Sequence, residues 1–249
     1  MYPQTHVYFA EKVFGRLSEP LALGSVFPDI AQGIVPDRQK SHGCGAEILA
    51  YMREQDNDED LLDFARGVIT HGIKPAGLDY YGDEKFLSYE RGYCFEKGRV
   101  LIDETIKACR LPPTMGWWKT HNIIEMGIEL HLSNFNSYGK VLSAAFVNID
   151  LLTRLSQYLG HFYAIEPALL KQRILRFAGF IEISQVTAAS LAARYDLQMF
   201  AKHHLHIDIP HVAHLIKQAI TIVTDDLTDF FTYVLDKVKH NLITLHTID

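Results

Sequence analysis

Apolar residues recur along this chain at intervals of three and four, the spacing that gathers side chains on one face of an α-helix. No run alternates residue by residue as a half-buried strand does. The pattern predicts an all-α fold. Helices are expected from about Pro3 to Leu17, Ser41 to Arg53, Glu59 to His71, Tyr89 to Ala108 and Trp117 to Leu132, and through most of the segment from Leu142 onward. Breaks are expected at the run GSVFPD, between Gly72 and Gly82, at Pro112-Pro113 and at Ile209-Pro210, where Gly and Pro interrupt the helical ladder.

At 249 residues the chain is long enough to bury a substantial core, and no linker rich in Gly, Ser or Pro divides it. A single domain is therefore expected, with a first half to about residue 135 and a helical second half beyond it. The second-half helices, such as VAHLIKQAITIVTDDLTDFFTYVL, read as core helices of a bundle, with homodimer formation as a further use for them. With 24 basic and 30 acidic residues the formal charge is −6, which excludes the basic surface that duplex nucleic acid requires. The opening MYPQTHVYFAEKVFG lacks the pattern of a signal peptide, and no window holds eighteen uninterrupted apolar residues, so a soluble cytoplasmic protein is expected. Cys44, Cys94 and Cys109 are too few and too scattered for a disulfide framework or a thiolate zinc site.

The histidines change the picture, because several fall where a helix turns inward. His6 shares its face with Ala10, Val13 and Leu17, while Glu11, Lys12 and Arg16 fall opposite. His71 closes the stripe Leu61, Phe64, Val68, just before Gly72. Taken singly, each reads as a core histidine whose nitrogens find backbone partners, and His71 also suits the negative end of its helix. Their coincidence with His42 after Ser41 at a helix start, and with Asp29 after Pro28 in a turn, raises a metal site as the alternative. In HNIIEMGIELHL, His121 and Glu125 stand at i, i+4, which allows both to grip one cation, and Glu129 lies a turn further. That arc would equally suit a wet helix face, except that it carries no Lys or Arg to balance its acids.

This ordered set, His6 in HVYFA, Asp29 in GSVFPD, Ser41-His42, His71 in ITH, then His121 and Glu125 in HNIIE, resembles the zinc-dependent phospholipase C family, whose fold is similar to that of the fungal zinc single-strand nucleases. The resemblance covers roughly the first 135 residues. It implies an all-helical hydrolase of phosphate esters with a cluster of one to three zinc ions at the bottom of a cleft. His6, Asp29, His42, His71, His121 and Glu125 match the family's ligands position by position. The implied chemistry is attack on phosphorus by a metal-bound hydroxide while neighbouring metals neutralise developing charge. Asp29 is then both a ligand and the residue that orients or deprotonates the water.

Two features depart from the family pattern. Pro75 stands where a metal-bridging aspartate is expected four residues after His71, and the histidine that follows it in the family has no replacement. In HGIKPAGLDYYGD either Asp79 or Asp83 can serve, with Asp79 preferred, if an insertion around Lys74 to Gly77 breaks the helix; ordinary turn acids beside glycine are the other reading. Secreted members use a terminal tryptophan amine as a ligand, and Met1 is not expected to act in the same way. A different class follows if the cluster is incomplete: a helical binding or scaffold protein that keeps the fold without a working site. An HD-type phosphohydrolase is excluded by the lack of any His-Asp dipeptide.

Two further groups complete the reading. Tyr80, Tyr81, Phe86, Tyr89, Trp117 and Trp118 would hold a choline-like headgroup or stack on a base if they line the cleft, and otherwise serve as packing residues. The histidines of KHHLHIDIPHVAH, from His203 to His214, are expected to be incidental to a helix connection.

Overall fold

A computed structural model describes residues 1–55, 58–135, 138–183 and 185–245. The chain is all-helical, with no β-strand among the described residues. The helices are α1 (Pro3–Phe14), α2 (Glu19–Ala31), α3 (Arg38–His42), α4 (Gly45–Gln55), α5 (Glu59–His71), α6 (Tyr93–Gly98), α7 (Ile102–Cys109), α8 (Gly116–Ser133), α9 (Gly139–Val147), α10 (Ile149–Tyr163), α11 (Pro167–Phe177), α12 (Ala188–His203), α13 (Ile209–Val223) and α14 (Leu227–Thr244). One π-helical turn spans Tyr80–Glu84. None of the described helices is long and apolar enough to cross a membrane.

The pattern of apolar residues locates most of these helices, and local chemistry sets their ends. Ser18, Asp37, Asp58 and Asn148 each accept a backbone N–H in the first turn of α2, α3, α5 and α10. Pro210 is accommodated in the first turn of α13, where its missing N–H costs nothing. Gly15 ends α1 in the left-handed conformation.

Three expectations are corrected. GSVFPD is not a break: it lies inside α2, and Asp29 stands on that helix rather than in a turn. Pro28 is close enough to the end to disturb only the last turn, and every residue from Pro20 to Ala31 except Asp29 is buried, so packing outweighs the breakers. The helix expected from Ser41 to Arg53 is two helices, and His42 closes α3 instead of opening a helix. The segment from Tyr89 to Ala108 likewise divides into α6 and α7 through a 3-10 turn at Arg99–Leu101.

Among the described helices α2 packs most extensively on α5, and glycines make the close approach possible. A Cβ on Gly24 would stand 2.0 Å from the Phe64 carbonyl oxygen, and one on Gly67 would stand 2.4 Å from that of Leu21. The two backbones therefore touch, which brings the end of α5 alongside that of α2. The second-half helices enclose this pair and its neighbours: α9 and α11 pack on α2, α13 on α8 and α14 on α1. They leave the start of α1, the end of α2, the start of α3 and the first half of α8 lining one cleft of about 710 Å³, with the ends of α3 and α5 buried behind it.

Candidate metal centre

Each polar residue at the base of this cleft is delivered by a helix end or a helix face. Asp29 sits in the last turn of α2, His42 at the end of α3, His71 at the end of α5, His6 within α1, and His121 and Glu125 one turn apart on α8. From His71 the chain runs through residues 72–78, including Pro75, to Asp79, which caps the π-helical turn; Asp83 follows within that turn. All seven residues proposed from the sequence, His6, Asp29, His42, His71, Asp79, His121 and Glu125, lie together.

Asp79 is the centre of the arrangement. Its Oδ1 is 2.7 Å from the Met1 amine and 3.3 Å from His6 Nε2. Its Oδ2 is 3.3 Å from His71 Nε2 and 3.6 Å from His42 Nε2. One carboxylate thus divides its two oxygens between two groups of donors. Asp29 joins the second, with Oδ1 at 3.5 Å from His42 Nε2. A third group is formed by Asp83, His121 and Glu125, whose donor atoms lie within 4.8 Å of one another. The Met1 amine, 3.0 Å from Glu125 Oε1, connects this third group to the first.

Two of these participants were not anticipated. Asp83 appears in the sequence only as a substitute for Asp79, but it occupies a place of its own and supplies a third donor beside His121 and Glu125. The Met1 amine, which was not expected to take part, is fully buried between two carboxylates, and the Met1 carbonyl is 3.1 Å from His6 Nε2. The sequence signal for Asp83 was its spacing of four from Asp79 in a helical turn; for the amine there was none.

The histidines are set by their second nitrogens. His71 Nδ1 donates to the Ser25 carbonyl at 2.7 Å, which aims Nε2 at Asp79; burial opposes charge on this ring, but the Asp79 carboxylate outweighs it and raises His71 above its ordinary value, so a cation would take the place of that proton. His42 Nδ1 lies 2.7 Å from Ser41 Oγ, leaving Nε2 turned to Asp29 and Asp79. His42 Nε2, His71 Nε2 and His121 Nδ1 are buried with no hydrogen-bond partner, a costly condition in an apolar interior that a cation would relieve. Burial, then the neighbouring His71 and Met1 amine, lowers His6 to about 3, and its ring stacks on His71 with centroids 3.7 Å apart. Burial lowers His121 to about 4. Neutral imidazoles are the form that binds metals.

The carboxylates are crowded in the opposite sense. Burial, followed by the charges of Glu125 and Asp79, pushes Asp83 up to about 7. Burial opposes charge on Asp79 as well, but the Met1 amine and His71 outweigh it and hold Asp79 well below its ordinary value. Arg38 offsets part of this excess, 3.0 Å from Asp83 Oδ2 and 3.5 Å from Asp79 Oδ2.

Glu129 does not join the cluster, and the arc it shares with His121 and Glu125 is not a wet face, since all three are buried. Its carboxylate accepts from the backbone N–H groups of Gln4 and Thr5 at 3.0 and 2.7 Å and from Thr5 Oγ1 at 2.8 Å. It caps α1 from α8, in place of the local cap that Tyr2 lacks, and so fixes the start of the chain against the third donor group.

Of the aromatic residues, Trp118 lines the cleft together with Phe95, whereas Phe86 packs on Tyr93 and Phe230 in the core. Of the later histidines, His203 lines the cleft, while His206 pairs with Asp196 and His211 with Glu104. Comparison with known proteins yields no matching family model, curated protein or solved structure.

Proposed function

We propose that this chain is a metal-dependent hydrolase of phosphate esters, of the phospholipase C type, with zinc as its metal. The observation that carries the reading is the division of Asp79, whose one oxygen faces His6 and the Met1 amine and whose other faces the unpartnered Nε2 atoms of His42 and His71, beside a third group of Asp83, His121 and Glu125. Such a donor set, neutral nitrogens alternating with carboxylates, suits one to three borderline-soft divalent cations. The first would draw on His6, Asp79 and the start of the chain; the second on Asp29, His42, His71 and Asp79; the third on Asp83, His121 and Glu125. When bound, these ions would supply Lewis-acid chemistry, acidifying water and drawing charge from phosphoryl oxygens.

The protein's own groups complete the task. Asp29 is the cluster carboxylate most open to the cleft, its side chain 29% exposed against 4% for Asp79 and 5% for Glu125. Burial disfavours its charge, yet His42, with Nε2 3.5 Å from Oδ1, and the nearby His71 hold it ionised, so its free oxygen can orient a water and take its proton. Pro75, the feature favouring an inactive scaffold, lies in the connection that brings Asp79 to the cluster.

Elemental analysis of untagged protein, combined with cleavage of a chromogenic phosphodiester before and after chelation, tests the proposal. Zinc content near or above one ion per chain and activity lost on chelation are expected. A folded, metal-free protein that gains no activity on zinc addition would leave the scaffold reading standing.

A further inference from the structure

The same cleft holds cations that the metal centre does not use. Lys119 stands in the first turn of α8, is 5% exposed, and places its Nζ 3.9 Å from the centre of the Trp118 ring. Among the described residues no carboxylate pairs with it. It is buried, stands at the positive end of a helix dipole, and shares the cleft with Lys202 at the end of α12. Next to Lys202, His203 also faces the cleft, with a buried Nε2 that has no partner, and its ring meets the edge of Trp118 at 6.0 Å. The cleft's acids, Asp29, Asp79, Asp83, Glu84 and Glu125, either belong to the metal centre or pair with Arg38.

We propose that Lys119, Lys202, His203 and Trp118 form an anion subsite, and that the substrate is a phosphodiester whose second alcohol carries a further phosphate. This rests on the phosphodiesterase reading above, with the scissile phosphate at the metal centre. A phosphate here supplies the carboxylate-free Lys119 with a counter-charge, accepts from His203, and lies beside an indole that a sugar or polyol can pack against. A cationic headgroup such as choline has the opposite charge from the one this wall selects.

The test uses the zinc-loaded full chain with two p-nitrophenyl phosphodiesters, one carrying choline as its second alcohol and the other ethylene glycol monophosphate. Wild type is expected to favour the phosphate-bearing ester in kcat/KM by about tenfold, the effect of one charge-assisted hydrogen bond. Lys119→Gln is expected to remove most of that preference, and Lys202→Gln, at an exposed position where folding is safe, to lower it by about threefold. No preference in wild type, or a preference that neither variant alters, overturns the subsite. Phosphatidylinositol 4-phosphate in micelles and its deacylated diester separate lipid-borne from soluble substrates; cleavage of either supports the proposal, and cleavage of the choline ester alone refutes it. Inorganic phosphate titrated into the chelated chain, followed by tryptophan fluorescence, reads the subsite without catalysis. Binding that Lys119→Gln abolishes supports the subsite even if neither ester is cleaved, in which case the hydrolase reading alone falls.

Discussion

Replacing Asp83 with asparagine should strengthen the metal-free protein and weaken the metal-loaded one. Without cations, burial and the carboxylates of Glu125 and Asp79 raise Asp83 to about 7. An acid raised in the folded state contributes stability that is present below its ordinary value near 4 and is lost as pH climbs through 7. The shift is roughly three powers of ten, and at about 1.4 kcal/mol for each, ionised Asp83 costs the chelated protein at most about 4 kcal/mol. Because asparagine carries no charge, Asp83→Asn should unfold at higher urea than wild type at pH 8 in chelator, by up to that amount. At pH 5 the gap should shrink by about 2 to 3 kcal/mol, since wild-type Asp83 is then largely protonated. Zinc should reverse the order, because ligand binding stabilises only the protein that keeps its donors. Urea midpoints at both pH values, with and without zinc, and metal content by elemental analysis are the measurements. A chelated variant no more stable than wild type at pH 8, or one that retains the full metal complement, would refute this account of the third donor group.

Other perturbations probe other parts of the argument. Gly67→Ala places a methyl 2.4 Å from the Leu21 carbonyl oxygen and should lower stability by about 1 to 3 kcal/mol or more while reducing zinc content, because α2 and α5 must separate; a thermal melt and metal analysis check this. Glu129→Ala leaves the Gln4 and Thr5 N–H groups unpaired in the interior and should cost about 2 to 4 kcal/mol by urea unfolding. An extra residue ahead of Met1 turns its amine into an amide, removes the lone pair that the deprotonated amine would offer a cation beside Asp79 and Glu125, and should lower metal content; unchanged stoichiometry would show that the amine is not a donor. Glu125→Gln should remove about one metal per chain and most phosphodiesterase activity, read by elemental analysis and initial rates.

Much of this protein was legible in its sequence because helices announce themselves locally. The three-and-four spacing of apolar residues fixes the helical class, and the inward position of His6 and His71 follows from the same wheel. His121 and Glu125 needed only their spacing of four. What stayed hidden depends on surfaces that meet from distant parts of the chain. GSVFPD reads as a break until α5 is laid against it, for only the contact through Gly24 and Gly67 makes helix the better state for that run. The same contact turns Asp29 from a turn residue into the most open carboxylate of the metal cluster. Asp83 gained a separate role because Asp79 had already taken the place between His6, His42 and His71, a competition that no local spacing expresses. Glu129 reads as a polar helix residue until the start of α1 is laid against it. Periodicity decides which residues face inward, but only packing between remote helices decides what they find there.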